Sequence, residues 1–339
     1  MAEAKAHRPA RDADHPPLDA NFFERVARHQ SGSSLHRIQA HAARLGHPAL
    51  CDGSSRVSLE QYLGRLFFEM QHRHNEQNVG AYFDLIRLYT DELLATTGWM
   101  VGRSGSLKKV LDRLRRRDHQ VTVVTFNHDL LVENALSQMS TRRHGNVWCL
   151  GHCYGLEFDD TCANQSEKYD LDCPGQTEDH ISVLKLHGSV NWVFRTRASH
   201  PPADFTRRSR SLLLWNNRLI PPGGNRLRSK GREWYLWPLV VPPIYEKQGL
   251  IKNELERVWK RAADALRAAT SVVFWGYSFP RADLHARYFF QAAAEENSTL
   301  RRPILINPDP QAHAQLCDVM RPVKVTHFHD VANYLADPP

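Results

Sequence analysis

Two stretches of the sequence place polar side chains directly after short apolar runs, where the residue types suit acid–base and binding chemistry. Asn127 and Asp129 follow the β-branched run Val121–Val124, and His187 follows the run Ser182–Leu186. Such runs are typical of strands buried on both faces of a parallel sheet. Ligands of open α/β sheets bind beyond the carboxyl ends of the strands, so we expect these side chains to share one crevice.

Taken alone, these residues also have ordinary structural interpretations. A histidine with its usual pKa near 6.5 can take a proton from a hydroxyl group or a water, but His187 also fits a capped core histidine at a strand end. Asp129 fits either the N-cap of the next helix or a group that orients Asn127. Asn127 is suited to hold a hydroxyl group and a water without adding charge.

Two later stretches repeat the pattern of a strand with a polar turn after it. Small side chains in such turns permit close approach of a ligand, and asparagine both donates and accepts hydrogen bonds. The runs are SVVFW from Ser271 and PILI from Pro303, and the candidate residues in the turns after them are Gly276, Tyr277, Ser278, Asn307 and Asp309.

These four turns resemble, in order, the motifs of the Sir2 (sirtuin) superfamily, in particular its bacterial SIR2-like branch. TFNHD stands where sirtuins carry TQN-[IV]-D, and LHG matches their catalytic-histidine motif. Similarly, GYS matches the nucleotide-contacting GTS, and IN matches the pair that holds the adenosine ribose. The resemblance covers about Asp14 to the C-terminus, with large unmatched insertions.

The resemblance implies NAD as substrate and assigns roles to these positions. Asn127, His187 and Asp129 would be catalytic. Asn307 would contact the adenosine ribose, Asp309 likewise, and Gly276 and Ser278 the phosphate or ribose. Tyr277 replaces the small residue typical of sirtuins. Asp283 and His285 also resemble a SIR2-like feature, although residues at the start of a helix are the simpler interpretation.

Three functions fit the resemblance. The first is hydrolysis of the nicotinamide–ribose bond, as in SIR2-like effectors of bacterial antiphage defence. The second is NAD-dependent protein deacylation, which is disfavoured because the sirtuin zinc module and the acyl-peptide strand beside LHG have no counterpart here. The third is a catalytically inactive module that binds a nucleotide or a nucleic acid.

One feature of the family has no match in this sequence. Sirtuins open with a strand and a GAGxS loop whose backbone N–H groups approach the dinucleotide phosphates. Residues Met1–Asp14 contain no glycine, and the first glycine is Gly32, whereas His15–Phe23 resembles the segment on the C-terminal side of that loop in SIR2-like proteins. We therefore expect the chain as written to bind NAD poorly and to leave an unpaired edge in its sheet. An upstream GAGxS loop would favour the NAD+ glycohydrolase.

The composition predicts a soluble globular protein. Of 339 residues, 42% are hydrophobic and 24% charged, and no apolar run approaches the roughly 18 residues that span a bilayer. The N-terminus lacks an apolar signal region, so a cytoplasmic location without membrane contact is expected. Six cysteines are sparse for this length and favour reduced thiols. The net charge of +7 suits either a dinucleotide or a nucleic acid, and an oligomer is compatible with the sequence.

The predicted fold is α/β, a doubly wound, mainly parallel Rossmann-like sheet with an N-terminal helical region and loop insertions. A disordered lead, residues 1–14, precedes a SIR2-like domain of residues 15–339. Residues 19–117 are predicted mainly helical and residues 121–339 Rossmann-like. The insertions are 140–179 and 195–238. The strands are expected to begin at Val121, Ser182, Leu239, Ser271, Pro303 and Val323.

Both insertions carry residues with possible binding chemistry. The first contains Cys149, Cys153, Cys162, Cys173, His144 and His152, but no CxxC pair, so zinc is not expected and no metal ligand is assigned. In the second, Arg195–Arg232 carries ten basic residues against one acid. Trp215, Trp234 and Trp237 would stack on bases if this segment bound nucleic acid. A solvated basic loop is the alternative.

Overall fold

The computed structural model describes a mixed α/β protein with parallel-strand sheets. The described residues are 22–29, 33–47, 50, 57–73, 76–97, 105–117, 120–139, 153–156, 158, 160–162, 181–197, 212–215, 225–229, 232–241, 254–279, 283–321 and 323–337. The expected lead, residues 1–14, lies outside these ranges. Within them, no helix is long and apolar enough to cross a membrane.

The N-terminal region is helical, as predicted. Apolar residues recur at helical spacing along it, and the stripe Leu59, Tyr62, Leu63, Leu66, Phe67 and Met70 is buried. A buried ion pair, Arg25 Nε to Glu92 Oε1 at 2.6 Å, ties the first helix to the fourth. The helices are α1 (Phe22–His29), α2 (Ser33–Arg44), α3 (Leu59–Arg73), α4 (Glu76–Thr97) and α5 (Gly105–Arg117).

Five of the six predicted strands form parallel pairs. β1 (Thr122–Thr125) pairs in parallel with β3 (Ser182–Lys185). β8 (Ser271–Trp275) and β10 (Thr326–Phe328) flank β9 (Arg302–Ile306) in a second parallel sheet. The last strand begins at Thr326, three residues after the predicted start at Val323.

A third sheet is largely antiparallel and corrects two predictions. Its order is β2 (Asp160–Cys162), β5 (Leu212–Trp215), β4 (Gly188–Thr196), β7 (Arg232–Val240) and β6 (Asn225–Ser229). Leu239 lies in β7, antiparallel to β4, so its assignment to the parallel sheet was wrong. The second insertion is likewise not only loop, because it supplies β5, β6 and most of β7.

Helix α5 contacts residues of both parallel sheets. In α5, Leu111 belongs to the large buried cluster that includes Val183 of β3, while its neighbour Val110 packs with Ile304 and Ile306 of β9. This helix therefore lies against both sheets. The other helices are α6 (Leu131–Met139), α7 (Glu254–Ala268), α8 (Leu284–Glu296), α9 (Pro310–Val319) and α10 (Val331–Ala336).

The strands β1 and β8 each leave one edge unpaired in the described part of the chain. β1 hydrogen-bonds only with β3, and β8 only with β9. Val123 and Val273, at the centres of these strands, are half-buried, whereas Leu305 in β9 is fully buried. Every open sheet has two unpaired edges, so the edge expected from a missing first strand stays a prediction.

Candidate functional site at the strand ends

The loop after β1 exposes Asn127 and buries the two residues after it. His128 and Asp129 are 5% and 6% exposed. The Asn127 backbone N–H donates to Thr125 Oγ1 at 3.1 Å, and Asp129 Oδ1 accepts from Leu131 N at 3.1 Å at the start of α6. Asp129 therefore caps α6, and a further role for it in a site stays a prediction.

His187 lies in the tight turn between β3 and β4, and hydrogen bonds hold the backbone of that turn. Val241 N donates to His187 O at 2.7 Å, and Trp259 Nε1 donates to Leu186 O at 2.8 Å. The next residue, Gly188, has a φ of 80°, in the region that favours glycine. The position of the imidazole is therefore set by β7 and α7 as well as by β3.

Three aromatic rings surround the imidazole of His187, which is 7% exposed. Their centroids lie 5.0 Å (Phe126), 6.2 Å (His128) and 6.3 Å (Trp259) from its own. Phe126 and His128 are the chain neighbours of Asn127. The structure thus brings the loop that carries Asn127 alongside His187, at the carboxyl ends of β1 and β3.

Tyr277, at the end of β8, extends this group of rings. We call Phe126, His128, Trp259 and Tyr277 the aromatic wall. The Tyr277 ring stacks on Phe126 with centroids 5.2 Å apart and an interplanar angle of 22°. Its hydroxyl donates to Asp283 Oδ2 at 2.9 Å. Burial raises the pKa of the Tyr277 phenol, and the Asp283 charge and hydrogen bond raise it further, so the phenol stays protonated. Asp283 also accepts from Ala286 N, which confirms its place at the start of a helix.

The nucleotide-contacting candidates after β8 and β9 differ in their exposure. Gly276 and Ser278 are exposed. Asn307 is only 6% exposed; its Nδ2 donates to Tyr277 O at 3.1 Å and its Oδ1 accepts from Asp309 N at 2.9 Å. Asp309 is exposed and caps α9 by accepting from the N–H of its second residue. Asn307 therefore joins the ends of β8 and β9, and a ligand would have to use its remaining N–H or lone pair.

Sequence reasoning missed two pairs of polar residues beside the site. Tyr89 on α4 places its hydroxyl 2.9 Å from His128 Nδ1, and burial, with a smaller effect of the Asp129 charge, raises the pKa of that phenol. Lys185, inside β3, is fully buried and pairs with Glu133 at 2.8 Å. The one available signal was a lysine within an otherwise apolar strand run.

The cysteines of the first insertion lie mostly outside the described residues. Cys153 is buried and forms no disulfide in the described part of the chain. Among the described residues no group of His, Cys, Asp or Glu could hold a metal ion. Cys149, Cys173, His144 and His152 are not among them.

Trp237, one of the three tryptophans considered for stacking on bases, is buried and is not available for that role. Trp237 is 3% exposed, and its ring centroid lies 5.1 Å from that of Phe83 in the core. Trp234 is half-buried, and the guanidinium carbons of Arg195 and Arg197 each lie 5.0 Å from its ring centroid. These cation–π contacts are made within the protein itself. Nucleic-acid contact through this segment stays a prediction.

Comparison with known proteins adds no relative. No protein-family model matches the chain, and no curated protein matches it either. The resemblance to the Sir2 superfamily therefore depends on the four short motifs alone.

Proposed function

We propose that this protein binds NAD at the carboxyl ends of the parallel strands of a doubly wound, Rossmann-like domain and hydrolyses the nicotinamide–ribose bond. The observation that carries the proposal is the placement of His187 beside the loop of Asn127, within one aromatic wall. A histidine and an asparagine at neighbouring strand ends can both reach one ribose. Hydrolysis of NAD would suit a role in antiphage defence.

The reaction needs few groups from the protein. The bond between the ribose anomeric carbon and the nicotinamide nitrogen breaks, and nicotinamide leaves as a neutral molecule with the bonding electron pair. Positive charge develops at the anomeric carbon, as in other glycoside cleavages. A water oxygen bonds to that carbon and releases one proton. The products are nicotinamide, ADP-ribose and a proton.

The described residues divide these tasks. The exposed amide of Asn127 would hold a ribose hydroxyl and the water. The imidazole of His187 would accept the proton from the hydroxyl or the water. The rings of Phe126 and Tyr277 stack on each other and would exclude water from this side of the site. The buried carboxylate of Asp129, in the same loop, favours positive charge nearby.

The test is release of nicotinamide from NAD. The protein is incubated with millimolar NAD, first alone and then with an acetylated peptide. Release without the peptide supports hydrolysis, and release only with the peptide supports deacylation. No release, with NAD binding detected by calorimetry, supports an inactive nucleotide-binding module.

Variants connect any activity to the site. Asn127→Ala and His187→Ala should each reduce turnover by at least about 100-fold, the size of a typical acid–base contribution. His329→Ala is the matched control, because the His329 side chain is 70% exposed and its ring nitrogen faces Asp330. Full activity in the His187 variant would remove that residue from the mechanism.

A further inference from the structure

A buried lysine lies directly beneath the proposed site. Lys185 is the last residue of β3, and its ammonium is completely inaccessible to solvent. It donates to Glu133 Oε1 at 2.8 Å and to the backbone carbonyl oxygen of Asp129. Burying an ammonium and a carboxylate is costly, and their mutual attraction often fails to exceed that cost. A pair of apolar side chains would fill this position at lower cost, so fold stability alone does not account for the ion pair.

The ion pair belongs to a connected set of buried polar groups. The Tyr154 hydroxyl also donates to Glu133 Oε1 at 2.9 Å and accepts from Asn191 Nδ2 at 3.1 Å. Asn191 Oδ1 accepts from Ser189 Oγ at 2.6 Å. The set therefore extends from α6 through the segment of Tyr154 to the beginning of β4. Each of these hydrogen bonds restricts the positions of the segments it joins, while Glu133 Oε2 is buried without a hydrogen-bond partner in the described part of the chain.

The same elements hold the loop that carries Asn127. Val190 N donates to His128 O at 3.0 Å, and Lys185 Nζ donates to Asp129 O. The two carbonyl groups after Asn127 are thus both bound by residues on either side of His187. Without the ammonium, Asp129 O would be a buried acceptor lacking its charged donor.

We propose that Lys185 is a positioning residue: its ammonium fixes the Asn127 loop relative to His187. The catalytic relevance of this role rests on the proposed function. The positioning of the loop does not, because it is a property of the protein without a ligand. The Lys185 side chain is 0% exposed, so a ligand in the crevice would not contact its ammonium. It acts through the backbone of Asp129.

Hydrogen exchange tests the positioning without any need for turnover. Removing only the ammonium, in Lys185→Met, leaves the Glu133 carboxylate buried and should lower global stability. The double variant Lys185→Met with Glu133→Leu removes both charges and should recover most of the urea midpoint. In the double variant, backbone amides of residues 127–131 should still exchange at least about tenfold faster than in the wild type.

The chain offers a matched control for a buried ion pair. Arg25→Met with Glu92→Leu removes the pair between α1 and α4 and should leave exchange at residues 127–131 unchanged. If the double variant of Lys185 and Glu133 does not fold, Tyr154→Phe, which keeps the ring, takes its place in the test. In this variant the exchange rates of the amides of residues 127–131 should rise about threefold or more. Wild-type exchange rates in the folded variants would overturn the proposal.

Turnover separates this inference from the proposed function. If the wild type hydrolyses NAD, the double variant should lower kcat at least about tenfold with KM little changed, because loop geometry matters most in the transition state. If the wild type has no activity, the proposed function fails. The exchange measurement still decides whether Lys185 positions the loop.

Discussion

Among the glycines of the described residues, Gly188 is the one at which an added methyl group should be most destabilising. Its φ of 80° lies in the left-handed region, and a Cβ built there would lie 2.0 Å from Leu239 O and 2.9 Å from Leu239 C. Both are backbone atoms of β7, so no side-chain rotation relieves the contact. The strand beside Gly188 would have to move by about 1 Å or more to reach even the shortest Cβ contacts that real structures show.

The cost of Gly188→Ala can be built from these contacts. The left-handed conformation costs a non-glycine residue about 1–2 kcal/mol. Moving β7 away also strains the hydrogen bond from Val241 N to His187 O and the pairing of Gly188 with Val240, at about 1 kcal/mol for each bond lost. The free energy of unfolding should therefore fall by about 3–4 kcal/mol.

Substitution of a second glycine separates the cost of the steric contact from the cost of the backbone conformation. Gly276 has a φ of 70° but nothing within 4 Å of a built Cβ. Gly276→Ala should therefore cost only about 1–2 kcal/mol. Urea unfolding of both variants, monitored by tryptophan fluorescence, gives the comparison. A Gly188 variant within about 1 kcal/mol of the Gly276 variant would refute the reasoning.

Three further variants test burial elsewhere in the chain. Burial raises the pKa of Asp91 to about 6 from 3.8, partly offset by Arg87. The stability associated with its protonated form is therefore complete below pH 3.8 and lost as pH rises through 6. Asp91→Asn should raise unfolding free energy by about 1–2 kcal/mol at pH 7.5 and by little at pH 4, in paired urea titrations. Trp237→Ala should cost about 3–5 kcal/mol and Trp234→Ala about 1 kcal/mol or less, and equal losses would contradict the assignment of Trp237 to the core.

The sequence predicts best where local pattern and burial agree. β1, β3, β8 and β9 begin within one residue of their predicted starts, because each is a short β-branched or aliphatic run with a polar turn after it. The same argument places the candidate residues at strand ends. Strand position and the polar turn are both local properties of the chain.

The partner of a strand is not local, and there the prediction was wrong. The short run at Leu239 is compatible with a parallel or an antiparallel sheet, and its partner β4 is fixed by long-range contacts. β6, with the sequence NRLRS, carries no apolar alternation at all. Lys185 was missed for a related reason. A lysine is expected at the surface unless a buried partner is known, and its partner Glu133 is distant in the sequence.

Strand-end hydrogen bonds also bear on how NAD would be held. A dinucleotide pyrophosphate is usually bound by free backbone N–H groups. Here the N–H of Asn127 donates to Thr125 Oγ1, and those of Gly276 and Asn307 donate to carbonyl groups of β9 and β10. Within the described ranges, these strand-end donors of the crevice are therefore already engaged. A pyrophosphate would need donors other than these three N–H groups, and side chains are one source of them.

Arg287, in the first turn of α8, has a charged side chain that could donate hydrogen bonds to a pyrophosphate. Its Nη1 is buried without a hydrogen-bond partner in the described part of the chain, and its charge acts on Tyr277, where it opposes the larger effect of burial on the phenol pKa. An unpaired guanidinium N–H gains about 1.5–3 kcal/mol from a bond to an anionic oxygen. Arg287→Met should therefore weaken NAD binding by about tenfold or more in calorimetry, whereas Arg301→Met, at an exposed arginine, should leave it unchanged. Equal affinities in the two variants would place the pyrophosphate elsewhere.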